Sequence, residues 1–75
     1  MPYNSTRELP MAIKSNLPSH AQLIFKDAFN AAWNGTCSKR KDREQCCVKI
    51  AWKAVENSYH KNKDGKWVKN DQKSV

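Results

Sequence analysis

The side chains best equipped for chemistry in this sequence are cations. Lys39, Arg40, Lys41 and Arg43 crowd into TCSKRKDREQ, and Lys61, Lys63, Lys66 and Lys69 surround Trp67 in HKNKDGKWVKN. Ammonium and guanidinium groups at such density hold phosphates or carboxylates through charge-assisted hydrogen bonds. The first cluster falls at the expected start of a helix, where free backbone N–H groups and the positive helix end add to the side chains in gripping a phosphate. Asp42 and Glu44 interrupt that run and stabilise the same helix end. In the second cluster an indole among lysines offers a surface on which a base can stack while the lysines meet phosphates. The competing role for Trp67 is to close a hydrophobic core, and for either cluster it is to be a solvated face.

Proton-transfer and metal chemistry find little to work with. His20 and His60 are the two histidines, no Ser-His-Asp or Cys-His arrangement is suggested by spacing, and Gly35 and Gly65 cannot build a glycine-rich phosphate loop. His20 is assigned to the capping structure of its helix. Cys37, Cys46, Cys47 and His60 could be imagined around zinc, but the C-x(2–4)-C pair is missing and adjacent cysteines on a helix point about 100° apart. No catalytic residue, metal or cofactor is therefore expected. Three cysteines, an odd number with two adjacent, fit a reducing compartment without disulfide staples, and Cys46 and Cys47 read as core fillers.

The elements that must position the cations follow from hydrophobic period. Leu9, Ile13 and Leu17 recur every four residues, which predicts a short helix with Pro10 in its first turn, closed before Pro18. Ser19 followed by Gln22 has the spacing of a capping box. From His20 to Asn34 a second helix places Ala21, Ile24, Phe25, Ala28, Ala31 and Ala32 on one broad face with Phe29 and Trp33 beside it, and Gly35 ends it. The charged stretch after it is a connection. Asp42 then caps a third helix running to about Tyr59, with Cys46, Cys47, Ile50, Ala51, Ala54 and Val55 inward and Trp52 and Tyr59 on the flank. Asp64-Gly65 predicts a turn, and Trp67-Val68 a brief strand pairing with Pro2 to Asn4.

Seventy-five residues suit one domain, expected over 1–69, with 70–75 as a disordered basic tail. The fold class is mainly α: three helices and a minor two-stranded β ribbon formed by the N-terminal and C-terminal segments. The formal charge of +7 is unevenly shared. Residues 1–38 hold three basic and two acidic side chains, a net of +1, whereas 39–75 hold eleven and five, a net of +6. The polar N-terminus lacks the apolar core of a secretory signal and no stretch is long enough to span a bilayer, so an intracellular protein, cytoplasmic or nuclear, is expected.

LPSHAQLIFKDAFNAAW, the later KIAWKAVENSY and the closing KW resemble the ChaB family, in which much the same phrases occur in the same order, over roughly Pro2 to Val68. The resemblance implies a few helices with a small sheet and transfers no catalytic residue. It also implies two roles. Bacterial members are named as regulators of a cation (Na+/Ca2+:H+) antiporter, and ChaB-like proteins of insect DNA viruses have been linked to DNA binding. The connection GTCSKRKDREQCC is more basic than the bacterial pattern, which points toward a viral-type member and a polyanion partner. The expectation is thus a non-catalytic, sequence-nonspecific DNA-binding protein using Lys39, Arg40, Lys41, Arg43, Lys61, Lys63, Lys66, Trp67 and Lys69. Four to six phosphate contacts would give a slope of about −0.9 per contact in log K against log salt. The alternative partner is an acidic protein surface, such as a cytoplasmic loop of the antiporter, and a weaker one is an anionic membrane met by the lysines.

Overall fold

A computed structural model describes residues 3–70. A 3₁₀ turn at Thr6–Glu8 leads into helix α1 (Met11–Asn16), helix α2 (Ser19–Asn34), helix α3 (Arg43–Glu56) and strands β1 (Tyr59–Lys61) and β2 (Trp67–Lys69). Three helices and one two-stranded antiparallel sheet make the mainly α domain that the hydrophobic period predicts.

Leu9 and Leu17 are buried at the two ends of α1, and the Pro10 carbonyl accepts the N–H groups of Ile13 and Lys14 at 2.9 and 3.0 Å. Leu17 and Pro18 are extended, which separates α1 from α2. The expected capping box does not form. Ser19 is already the first helical residue, and Gln22 points back, donating from Nε2 to the carbonyls of Lys14 and Leu17 at 3.1 and 2.8 Å. The glutamine therefore satisfies the end of the preceding helix rather than the start of its own.

The inward stripe of α2 is Ala21, Phe25, Phe29 and Ala32, a four-four-three spacing. Phe29 lies at its centre and is fully buried, while Ala31, expected inward, is exposed. The opposing stripe of α3 is Cys47, Ala51 and Val55, all fully buried. Small residues on α3 leave room for the two phenyl rings of α2, which is the ridge-and-groove condition for close helix packing. Helix α3 stops at Glu56, short of the expected Tyr59. Tyr59 instead opens β1, buried, with its hydroxyl 3.1 Å from His20 Nδ1 at the start of α2. That contact closes the two helices at the end opposite their connection.

Strands β1 and β2 form a hairpin with Tyr59 opposite Lys69, His60 opposite Val68 and Lys61 opposite Trp67. Gly65 takes the left-handed conformation, φ 81°, that the Asp64-Gly65 signal anticipates, and Asn62 Oδ1 accepts the N–H groups of Asp64 and Lys66 at 2.9 and 3.0 Å. The strand partner of Trp67 and Val68 is thus the chain just before them, not the N-terminal segment. Pro2 lies outside the described residues. Tyr3 has its N–H and C=O both taken by the Asn30 side-chain amide, at 2.8 and 2.7 Å, so α2 satisfies the backbone that a strand partner would have used. The tail expected over 70–75 lies, beyond Asn70, outside the described residues. Asn70 itself is tied in through its N–H to Ser58 O at 2.8 Å.

The expectation of no disulfide is overturned: Cys37 and Cys46 are bonded, with Cα atoms 5.8 Å apart. Adjacent Cys46 and Cys47 indeed cannot pair, but the chain reversal between α2 and α3 brings the more distant Cys37 into bonding range. The odd cysteine, Cys47, is free and buried, as expected of a core filler. Without that absence, the cysteine count no longer argues for a reducing compartment.

A domain of this size is stable by roughly 4–11 kcal/mol. Phe29→Ala should remove about 3–5 kcal/mol of this in denaturant unfolding. Ala31→Ser, on the side that faces water, should change it by less than about 0.5 kcal/mol.

Candidate functional site

The two basic clusters sit at different stations of the fold. Lys39, Arg40 and Lys41 occupy the connection before α3, and Arg43 is its first residue. Lys61, Lys63, Lys66 and Lys69 belong to the hairpin that follows the same helix. Fourteen residues of α3 give about 20 Å of helix between the two points of attachment.

Within the first cluster the cations differ. Arg40 clamps Asp42, Nε to Oδ1 at 2.9 Å and Nη2 to Oδ2 at 3.4 Å. The Arg40 hydrogen bond holds the Asp42 carboxyl below its ordinary value, and the same bond raises Arg40. Asp42 consequently does not cap α3 with its side chain, although it occupies the capping position. Arg43 faces inward. Its Nε and Nη2 donate to the Trp33 carbonyl at 3.2 and 2.7 Å, and its guanidinium carbon lies 3.9 Å from the centre of the Trp33 ring. This arginine closes the open C-terminal end of α2 and stacks on the indole, so its donors are largely used within the domain. Lys39 and Lys41 are exposed.

In the hairpin, Lys61, Lys63, Lys66 and Lys69 are all exposed, and none forms an ion pair among the described residues. Trp67 is half-buried, with its ring 5.5 Å from that of Trp52 on α3 and the Lys61 ammonium 6.0 Å from its centre. It seats the hairpin on the helix. Trp52 in turn meets Phe25 edge-on at 5.3 Å. The sequence places Trp52 on a flank, whereas in space it is the pivot between core and hairpin.

Sequence reasoning passed over Lys49 and Lys53, both exposed on α3, because they lie outside the dense runs. It also missed the His20–Tyr59 and Asn30–Tyr3 contacts, for which the only local sign is a polar residue inside an otherwise apolar phrase. His60 Nδ1 lies 2.7 Å from Asn70 Oδ1 and His20 is engaged by Tyr59, so the two imidazoles serve hairpin and helix closure. Of the imagined zinc set, Cys37 and Cys46 are spent in the disulfide. A shallow depression on α3 is lined by Glu44, Gln45, Val48 and Lys49, all from one helix.

The sequence matches the profile described as ChaB over residues 9–70. It is 47% identical over 74 residues to "Putative cation transport regulator ChaB" of Escherichia coli strain K12, covering 92% of this chain and 97% of that protein. The protein of that name in Shigella flexneri matches to the same extent. A solved structure, "NMR solution structure of the putative cation transport regulator ChaB", superposes with a TM-score of 0.79 at 44% identity, covering 93% of this chain and all of that one. These relatives favour the cation-transport alternative over DNA binding, and give no support to a viral-type member or a nuclear location. No helix among the described residues is long and apolar enough to cross a membrane.

Arg43→Ala should lower unfolding stability by about 1–2 kcal/mol, since it leaves the Trp33 carbonyl without its charged donor. Lys41→Ala should stay within about 0.5 kcal/mol, and equal losses from both in urea titrations would contradict the separate roles given to these cations.

Proposed function

We propose, because this chain belongs to the ChaB family, that it is a non-catalytic interaction module regulating a membrane cation transporter from inside the cell. Its hairpin lysines meet an acidic segment of the transporter or of a protein attached to it. The observation that carries this reading is the set Lys61, Lys63, Lys66 and Lys69, exposed and without ion-pair partners among the described residues, on a hairpin anchored by Trp67 against Trp52. Lysine is a compact point charge on a flexible stem, suited to carboxylates presented without fixed geometry. Lys39 and Lys41 extend the same positive field and speed encounter more than they hold the complex.

Arg43 donates to the Trp33 carbonyl, Trp67 packs against Trp52, and Arg40 pairs with Asp42 at the surface, which is why this reading places the contact on the hairpin lysines.

In cells that contain a cation antiporter, the tagged protein should co-purify with it, and a variant with the four hairpin lysines changed to glutamate should lose at least about tenfold of the recovered transporter, equivalent to roughly 1.4 kcal/mol. Recovery unaffected by the reversal, or lost equally when Lys49 and Lys53 are reversed instead, would refute the hairpin as the contact.

A further inference from the structure

We propose that the Cys37–Cys46 bridge is a thiol–disulfide exchange site for a low-molecular-weight thiol of the glutathione class, and that its oxidation state sets the geometry of the basic connection between α2 and α3. The inference is independent of the partner assigned to the hairpin. It rests on where the two cysteines sit and what the bridge encloses.

Cys37 is fixed from the α2 side. Its N–H donates to Ala32 O at 2.9 Å and the residue is fully buried. Cys46 is fixed from the α3 side, its N–H donating to Asp42 O at 2.8 Å, and it is half-buried. The bond between them, across a sequence separation of 9, encloses Lys39, Arg40, Lys41 and Arg43. The two ends of the loop are also held without it, by the Arg43 clamp on Trp33 and by the packed faces of α2 and α3. Opening the bridge therefore frees the middle of the connection while the helices stay in place. There the backbone bonds are few, Ser38 N–H to Gly35 O and Arg40 N–H to Cys37 O, at 3.0 and 3.1 Å.

The difference in burial sets the order of events. A small thiolate attacks the sulfur of Cys46, the less buried residue of the pair, forms a mixed disulfide there, and breaks the bond to Cys37, which leaves as a thiolate and takes a proton. A second small thiolate attacks the small-molecule sulfur of the mixed disulfide. This releases Cys46 as a thiolate, which takes a proton in turn. The net change consumes two small thiols and the protein disulfide, and yields two cysteine thiols and one small-molecule disulfide, two electrons having passed to the protein. Reversal closes the bridge. Cys47, next in sequence to Cys46, stays out of the exchange because it is enclosed by the core, where burial pushes its thiol pKa up and keeps it protonated.

The test uses the whole chain in buffers of stepped reduced-to-oxidised glutathione ratio, alkylated and weighed after native equilibration, with backbone amide spectra recorded at both extremes. Two thiols should appear and vanish together while Cys47 stays unmodified in the folded protein, and amide signals over 38–43 should shift while those over 59–69 hold still. The double variant Cys37→Ser with Cys46→Ser should reproduce the reduced spectrum. If that variant does not fold, the wild-type chain in excess reduced glutathione supplies the same comparison. A bridge that stays closed in excess reduced glutathione, one that never forms in the oxidised buffer, a Cys47 that reacts first, or an opening that leaves 38–43 unshifted would each overturn the proposal.

Discussion

One continuous run of contacting rings, stacked along α2 and edge-on or tilted beyond it, holds this small domain in register. It begins with the Arg43 guanidinium on Trp33, passes through Phe29 at 6.0 Å and Phe25 at 6.4 Å, crosses from α2 to α3 at Trp52, and reaches Trp67 of the hairpin at 5.5 Å. Tyr3 joins it from the N-terminal segment, 4.9 Å from Phe29. Each ring pair contributes about 0.5–1.5 kcal/mol beyond the area it buries. In a chain whose whole stability is of similar order to a few such terms, the run decides where every attached element sits. The opposing stripe of Cys47, Ala51 and Val55 is small because the rings need the space.

Both ends of the ring system carry cations, and their different fates explain how the two clusters divide. At the Trp33 end the guanidinium has a carbonyl to satisfy and turns inward, so the charge is consumed in closing a helix. At the Trp67 end the ring is braced by Trp52, and the lysines around it form no ion pair among the described residues, the Lys61 ammonium lying 6.0 Å from the centre of the indole. A basic residue free of internal partners, on an element held rigidly, is available to a partner without first losing a stabilising contact. That asymmetry, rather than the count of positive charges, is what the proposed hairpin contact rests on.

Much of the fold was legible in period and punctuation. The Asp64-Gly65 turn uses the left-handed glycine its sequence signals, and α2 ends at Gly35, although with φ −131° rather than in the left-handed conformation. Leu9 and Leu17 are buried as their step predicts, but both are extended and flank a helix confined to Met11–Asn16. The misplacements share another origin. Gln22, Asn30 and Tyr59 act through partners 5 to 39 positions away, and no local rule weighs a glutamine that reaches back across a helix break against one that caps its own helix. The Cys37–Cys46 bridge belongs to the same class, since it exists only after α2 and α3 have turned back on each other. For the candidate site the sequence located the charge correctly but could not separate Arg43 from Lys41, because the distinction lies in the carbonyl end of a helix ten residues earlier.

The claim that the hairpin lysines meet carboxylates of a protein partner is tested most directly by titrating isotope-labelled protein at physiological salt with an acidic cytoplasmic segment of a cation antiporter, and in parallel with a short DNA duplex. The account predicts saturable amide shifts centred on Lys61–Lys69 with the acidic segment, and only weak, salt-erased shifts with the duplex. Shifts that arise with DNA alone, or that centre on 39–43 with the acidic segment, would contradict it.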